Sequence, residues 1–432
     1  MFRKKTGTTL GLISIILVIF SIAFVPGVNS QQEKGPIKIG YIGAAATPYG
    51  VSNKTALEIS IEDLNKAGGI AGRQVQLVVE DWKREVPLAV AAYKKLVITN
   101  GCPVVVTEGT DSVMANMQEG GNLYKEYPHI QFGTWAAGNE ITDRVGAEYN
   151  KFKFVFRIFG KVEEVYDPRL DLPSFFRKNI GTKKLAVVVE DSSFGQNYIN
   201  GFPAKNLPPW GDFLAQKSGA QLVYKAKSAV GEKMFLPILE KIAASGADTI
   251  NWITAYTDTL TLTKQWFVSS AKDIDLVLES GAVGFVSFWN MTGGAALGVC
   301  AKPPEADIPY TDKTLPFLKE LRKRGAGLLS GTFGSADMPW ILKAAVEKTG
   351  NTKDIDALIK ALETVEVQNY SWRWKFDKNH DPVKGYPYFL SPYGQFQGPG
   401  QYVVVHPDDV RRLANNDKLF MRVKELRARV VK

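Results

Sequence analysis

The strongest constraint on this chain is a rhythm that stops and starts again. From Pro36 onward, short apolar runs alternate with longer amphipathic stretches. The runs predicted as strands are Ile37–Ile42, Val75–Glu80, Pro103–Thr107, His129–Phe132, Lys184–Val189, Gln221–Tyr224, Thr249–Ile253 and Asp275–Leu278. Helical spacing fills about 51–67, 86–99, 112–127, 195–217, 233–245 and 258–271. Strands separated by helices predict βαβ units and a parallel sheet. Parallel strands are buried on both faces, so they should be continuously apolar, as Val104-Val105-Val106 and Val187-Val188-Val189 are. One series ends near Trp135 and a second opens near Lys184, which predicts two doubly wound lobes rather than one. A length of 432 residues leaves room for two or three domains.

Beyond Gly281 the pattern changes. A helix-like stretch (285–292), a glycine-rich break (293–298) and a proline-rich run from Lys302 to Pro309 precede two helices, about 313–324 and 338–349. That approach suggests a crossing between lobes. A strand-like Ser371–Phe376 and an aromatic tail lead to a basic helix, about 408–429, read as a solvated face.

The first thirty residues have a different character. Arg3, Lys4 and Lys5 precede an uncharged apolar run from Leu10 to Val25, then Pro26, Gly27 and the small-residue end Val28-Asn29-Ser30. This order reads as a signal peptide for export, with an uncleaved N-terminal anchor as the alternative. Those three basic residues carry a third of the formal +9 charge; the remainder is scattered, with no basic stripe interleaved with aromatics, so nucleic acid is not expected as a partner. Two cysteines exclude a disulfide scaffold; Cys102 and Cys300 either pair in an oxidising compartment or stay as buried thiols.

Several chemistries lack their motifs. There is no phosphate-binding Gly-x-x-x-x-Gly-Lys-Ser/Thr loop, no Gly-x-Gly-x-x-Gly after the first strand, no Gly-x-Ser-x-Gly and no His-Glu-x-x-His. His129, His380 and His406 lie far apart without metal-ligand spacing. No catalytic residue, metal or cofactor is expected.

Ile37-Lys-Ile-Gly40, Thr47-Pro-Tyr-Gly50, the stretch from Asn65 to Gly72 (Asn-Lys-Ala-Gly-Gly-Ile-Ala-Gly), Phe154-Val-Phe-Arg157, Ser192-Ser-Phe-Gly195, Ile242–Asp248, Ala345–Gly350 and Lys375–Asn379 occur in that order. The ordered set resembles the type I periplasmic binding proteins, and within them the leucine/isoleucine/valine-binding group that serves ABC importers. The resemblance implies an α/β fold of two doubly wound parallel-sheet lobes joined by a three-strand hinge. The expected division is 1–30 as signal or anchor, 36–155 plus 302–366 as lobe one, 156–301 plus 367–405 as lobe two, and 406–432 as the basic C-terminal helix. The implied function is capture of a small ligand in the interlobe cleft and delivery to the permease subunits of an ABC importer. The chain is expected to be a monomer on the outer face of the cytoplasmic membrane.

The same resemblance nominates binding residues. Tyr49 is the aromatic that covers the ligand from lobe one. Thr110, Asp111 and Ser112 open a helix after a buried strand, where hydroxyls and free amides suit a carboxylate. Asp111 is a departure: it either caps the helix or repels a ligand carboxylate. Trp135, Ala136 and Ala137 form the next loop. From lobe two come Phe194, Tyr256 and either Glu279 or Ser280, the partner for a ligand ammonium. An apolar or branched-chain amino acid is the leading ligand. An amide, a polyamine-like molecule or an aromatic compound are its rivals, and a ligand-sensing subunit or an exported hydrolase are the rival functions.

Overall fold

The computed structural model describes Met1 and residues 35–279, 286–302, 307–414 and 417–430. The chain divides into Met1–Gly35 and Pro36–Lys432. The expected export segment lies outside the described residues.

All eight expected strands are present: Thr249–Ile253 keeps its bounds, the others end one to four residues later than expected, and two of them also start one residue later. In the first sheet β1 (Ile37–Gly43), β2 (Val75–Asp81), β3 (Val104–Glu108), β4 (Ile130–Thr134) and β5 (Val155–Arg157) run parallel in the order β2-β1-β3-β4-β5. The second sheet holds β6 (Lys184–Glu190), β7 (Gln221–Ser228), β8 (Thr249–Ile253), β9 (Asp275–Glu279) and β10 (Cys300–Ala301), all parallel. An antiparallel pair, β11 (Tyr393–Gly398) and β12 (Gln401–His406), extends its edge, giving the order β12-β11-β10-β9-β8-β6-β7. Every residue of β3, β4, β8 and β9 is buried, which accounts for their apolar or neutral interiors; the charged residues Glu108, Asp275 and Glu279 stand only at strand ends.

Two α/β lobes therefore face each other, and the chain crosses between them after β5, after β10 and after the helix Ile355–Leu362. The helix Thr332–Thr349 returns to the first lobe and packs along the helix Pro48–Lys66, where Ser60 Oγ donates to Ala336 O at 2.5 Å. The apolar core is continuous through the crossings: one buried cluster joins Ile39 and Phe132 of the first sheet to Phe156, Phe175 and Trp374, and on to Val187 and Val277 of the second.

Proline and glycine explain where the helical expectation over 195–217 failed. The stretch 195–217 is two helices, Ser193–Asn200 and Trp210–Ser218, separated by Gly201, Pro203, Pro208 and Pro209. Ser371–Phe376 forms isolated bridges rather than a strand. The C-terminal basic stretch is also two short helices, Asp408–Leu413 and Val423–Val430, rather than one over 408–429. Cys102 and Cys300 are both buried free thiols, one in each lobe. The three histidines are core residues: His129 meets Tyr93 and the Tyr127 carbonyl, His380 the Val155 carbonyl, and His406 the Leu170 carbonyl.

Where the crossings meet the first sheet, Arg157 is fully buried. Its Nε donates to Asp381 Oδ1 at 2.7 Å, its Nη1 to the carbonyls of Ala136 (2.9 Å) and Gly138 (2.8 Å), and its Nη2 to Thr142 Oγ1. Burial works to raise the Asp381 pKa, but Arg157, Lys384 and Lys161 bring it down to about 2. Asp381→Asn leaves a buried guanidinium without its counter-charge and should cost about 3 kcal/mol or more in urea unfolding at neutral pH. Because the folded pKa lies below the ordinary 3.8, this pairing contributes fully above pH 4 and is lost as pH falls through about 2. The difference between wild type and variant should therefore shrink in that window.

Candidate functional site

The C-terminal ends of the parallel strands of both lobes converge on one cleft, the place where open α/β sheets present loops and helix starts. The cavity there is about 120 Å³. Seven expected residues line it: Tyr49, Thr110, Trp135, Ala137, Phe194, Tyr256 and Glu279.

The first-lobe wall is a stacked pair. Tyr49 lies in the first turn of the helix Pro48–Lys66, capped by Thr47, whose Oγ1 accepts from Gly50 N at 3.1 Å. Its ring stacks on Trp135 with centroids 4.2 Å apart and planes 10° from parallel. Burial pushes the Tyr49 phenol up to about 12, so it remains a neutral donor. Trp135 directly follows β4 with φ +47°, a left-handed backbone that is strained for a tryptophan. The strain is held in place: Arg157 fixes the carbonyls of Ala136 and Gly138, and Val162 N donates to Ala137 O at 3.0 Å.

Beside this pair the helix Thr110–Leu123 starts. Gly109 takes φ +89°, ψ 143°, and a side chain there would also press on Trp82 at 3.3 Å, so glycine is required. The first-turn N–H groups have no intrahelical carbonyl to bond, and Thr110 lines the cavity at their head. Thr110 Oγ1 also accepts from Gly138 N at 3.3 Å. Beneath them Glu108 closes β3, fully buried, with Tyr41 donating to its Oε2 at 2.6 Å; burial pushes its pKa up to about 7.

Three expected residues sit elsewhere. The hydroxyl of Ser112 is fully buried and turns back to the carbonyls of Glu108 and Gly109. Ala136 is fully buried under its loop. Asp111 is exposed in the first helical turn; the cap position belongs to Gly109, so the capping role is not its own. Ser280 lies outside the described residues.

The second-lobe wall is organised by Glu190 at the end of β6. Its Oε2 accepts from Thr254 Oγ1 and Thr257 Oγ1, both at 2.6 Å, and from Tyr256 N at 3.1 Å. Burial opposes its ionisation, yet the two threonine hydroxyls hold its pKa below the ordinary value. A charged acceptor thus fixes the loop that presents Tyr256. Phe194 and Tyr198 from the helix Ser193–Asn200 complete the aromatic side.

The floor is polar, and the sequence did not reveal it. Lys161, Glu164 and Lys302 come from the crossings and line the cavity with Glu279. Glu164 pairs with Lys302 at 2.6 Å and with Lys384 at 3.7 Å. Glu279 Oε1 accepts from the buried Tyr393 hydroxyl. Burial raises the Glu279 pKa, and Lys302 and Tyr393 oppose that. Lys161, Glu164 and Lys302 occupy segments without periodicity, and their pairing exists only in three dimensions.

A family model described as periplasmic binding protein matches residues 36–390. The chain is 24% identical over 346 residues to Leu/Ile/Val-binding protein homolog 3 of Brucella melitensis, covering 79% of this chain and 87% of that protein. It is 22% identical over 347 residues to the Leu/Ile/Val-binding protein of Escherichia coli K12, covering 79% and 88%. Among solved structures, a branched-chain amino acid transporter substrate-binding protein of Streptococcus pneumoniae, in complex with isoleucine, is similar at TM-score 0.67 and 15% identity, covering 86% of this chain and all of that one. A solute-binding protein of Rhodopseudomonas palustris in complex with benzoate is similar at TM-score 0.67 and 16% identity, covering 87% and 99%.

Glu190→Gln should free the Tyr256 loop, because an amide N–H₂ would face donors. Amide hydrogen exchange at 254–257 should accelerate by an amount equivalent to about 1–3 kcal/mol, with β4 unchanged.

Proposed function

The chain belongs to the periplasmic binding protein family, and from that premise we propose that it is an exported solute-binding protein serving an ABC importer. Its lobes divide as 36–157 plus 302–366 and 158–301 plus 367–405, the expected boundary at 155 moving to the end of β5, which pairs with β4. Binding is reversible, and no bond is made or broken. The ligand shifts an open–closed equilibrium by its different affinity for the two states, and the permease reads the closed one.

The proposed ligand is an amino acid with an apolar or aromatic side chain. One observation carries this reading: an acid, Glu279, and an amide-rich helix start at Thr110 line the same aromatic-walled cavity. The carboxylate would lie at Thr110 and the helix start, where donors and the dipole favour negative charge. The ammonium would meet Glu279, and the side chain the rings of Tyr49, Phe194 and Tyr256. Asp111 is not among the lining residues, so its expected repulsion of a carboxylate carries less weight. The names of the Leu/Ile/Val-binding relatives point the same way.

A second reading is an aromatic carboxylate without an amine. It is supported by Lys161 and Lys302 on the floor and by the six rings of Tyr49, Trp135, Phe159, Phe194, Tyr198 and Tyr256 around the cavity.

A thermal-shift screen of residues 31–432 separates the two. A ligand at a hundredfold excess over Kd should stabilise the protein by about 2.7 kcal/mol. The proposal expects this from apolar or aromatic amino acids; a response to benzoate alone favours the second reading, and silence from both classes contradicts the proposed ligand. Glu279→Gln should then weaken an amino acid at least about tenfold and leave an amine-free carboxylate unaffected.

A further inference from the structure

Arg84 stands at the mouth of this cleft, on the loop after β2, and the sequence pattern did not single it out. Its guanidinium carbon lies 5.6 Å from the ring centre of Trp135 and 5.8 Å from that of Tyr256. The two rings belong to different lobes: Trp135 follows β4 of the first sheet and Tyr256 follows β8 of the second. Arg84 forms no hydrogen bond or ion pair among the described residues. Its ring contacts are two aromatic faces across the cleft from each other, and its charge also acts on the Tyr49 phenol and the Glu108 carboxyl of the first lobe.

The backbone is built to hold this position. Lys83 and Arg84 have φ of +51° and +63°, two consecutive non-glycine residues in the left-handed region. Such a conformation is costly and persists only where its surroundings over-determine it. Asp81 Oδ1 accepts from Lys83 N at 2.9 Å and from Ala45 N at 3.2 Å, and Glu85 N donates to Trp82 O at 2.8 Å. Trp82 is buried against Gly109 and anchors the loop to the helix start. Strain here serves to aim one side chain across the gap.

We propose that Arg84 is an interlobe latch: its cation bridges Trp135 and Tyr256 and holds the cleft closed. A cation over two rings is attracted to both negative faces at once, and the attraction to Tyr256 exists only while the lobes are together. The latch therefore stabilises the closed state and slows the escape of whatever the cleft holds. The inference rests on the reading of the cleft as one that opens and closes, but its test needs no ligand.

Spin labels placed by Gln118→Cys and Lys241→Cys, exposed positions on helices of opposite lobes, report the interlobe distance. Cys102 and Cys300 are buried and should not label. In the ligand-free protein the distance distribution should contain a closed population. Arg84→Ala should lower the closed-to-open ratio about fivefold, and Arg84→Lys should keep an intermediate ratio because the ammonium retains the charge. Coincident distributions for wild type and Arg84→Ala would overturn the latch, as would the absence of any closed population in wild type. Failure of the amino-acid reading would instead show in the thermal-shift screen and leave these distances unchanged.

Discussion

The fold depends on how it accommodates one buried charge pair. Arg157 and Asp381 are 0% and 1% exposed, at the point where the crossings join the first sheet. A buried ion pair stabilises a fold only when the remaining donors are satisfied. Here the guanidinium spends them on Ala136 O, Gly138 O and Thr142 Oγ1, while Lys161 reaches the second carboxylate oxygen of Asp381 at 3.1 Å. One side chain thus ties an edge strand, a crossing and the loop that presents Trp135. The cleft wall is tied by these bonds to the junction beneath it.

The second lobe uses the same strategy with a different sign. Glu190 ends a strand and gathers the donors of the Tyr256 loop, as Arg157 gathers the carbonyls of the Trp135 loop. In both lobes a buried charge at a strand end sets the loop that presents an aromatic ring. Each network is fully engaged with its loop, which leaves Thr110, Glu279 and the rings to face the cavity.

Much of the architecture was legible from the strands, because burial on both faces imposes apolar runs that no surface element needs. Strands that escaped notice had no room for that signal. β5 spans three residues and β10 two. The β11–β12 pair carries Gln395, Gln397 and Gln401 among its apolar residues and is joined at Pro399-Gly400, a turn that could have marked it. The site was legible where the family resemblance nominated residues at or within a few positions of strand ends, as for Tyr49, Thr110, Trp135, Phe194, Tyr256 and Glu279. Lys161, Glu164, Lys302 and Arg84 were not, because charges on irregular segments reveal their partners only after folding.

The central claim is that one solute sits between the helix start at Thr110 and the carboxylate of Glu279. A crystal structure with the stabilising solute bound tests it most directly. The account predicts ligand density enclosed by Tyr49, Phe194 and Tyr256, with a carboxylate about 2.7–3.2 Å from Thr110 or its neighbouring amides and an amine at similar distance from Glu279. Density outside this cleft, or inside it with neither group engaged, would contradict the account.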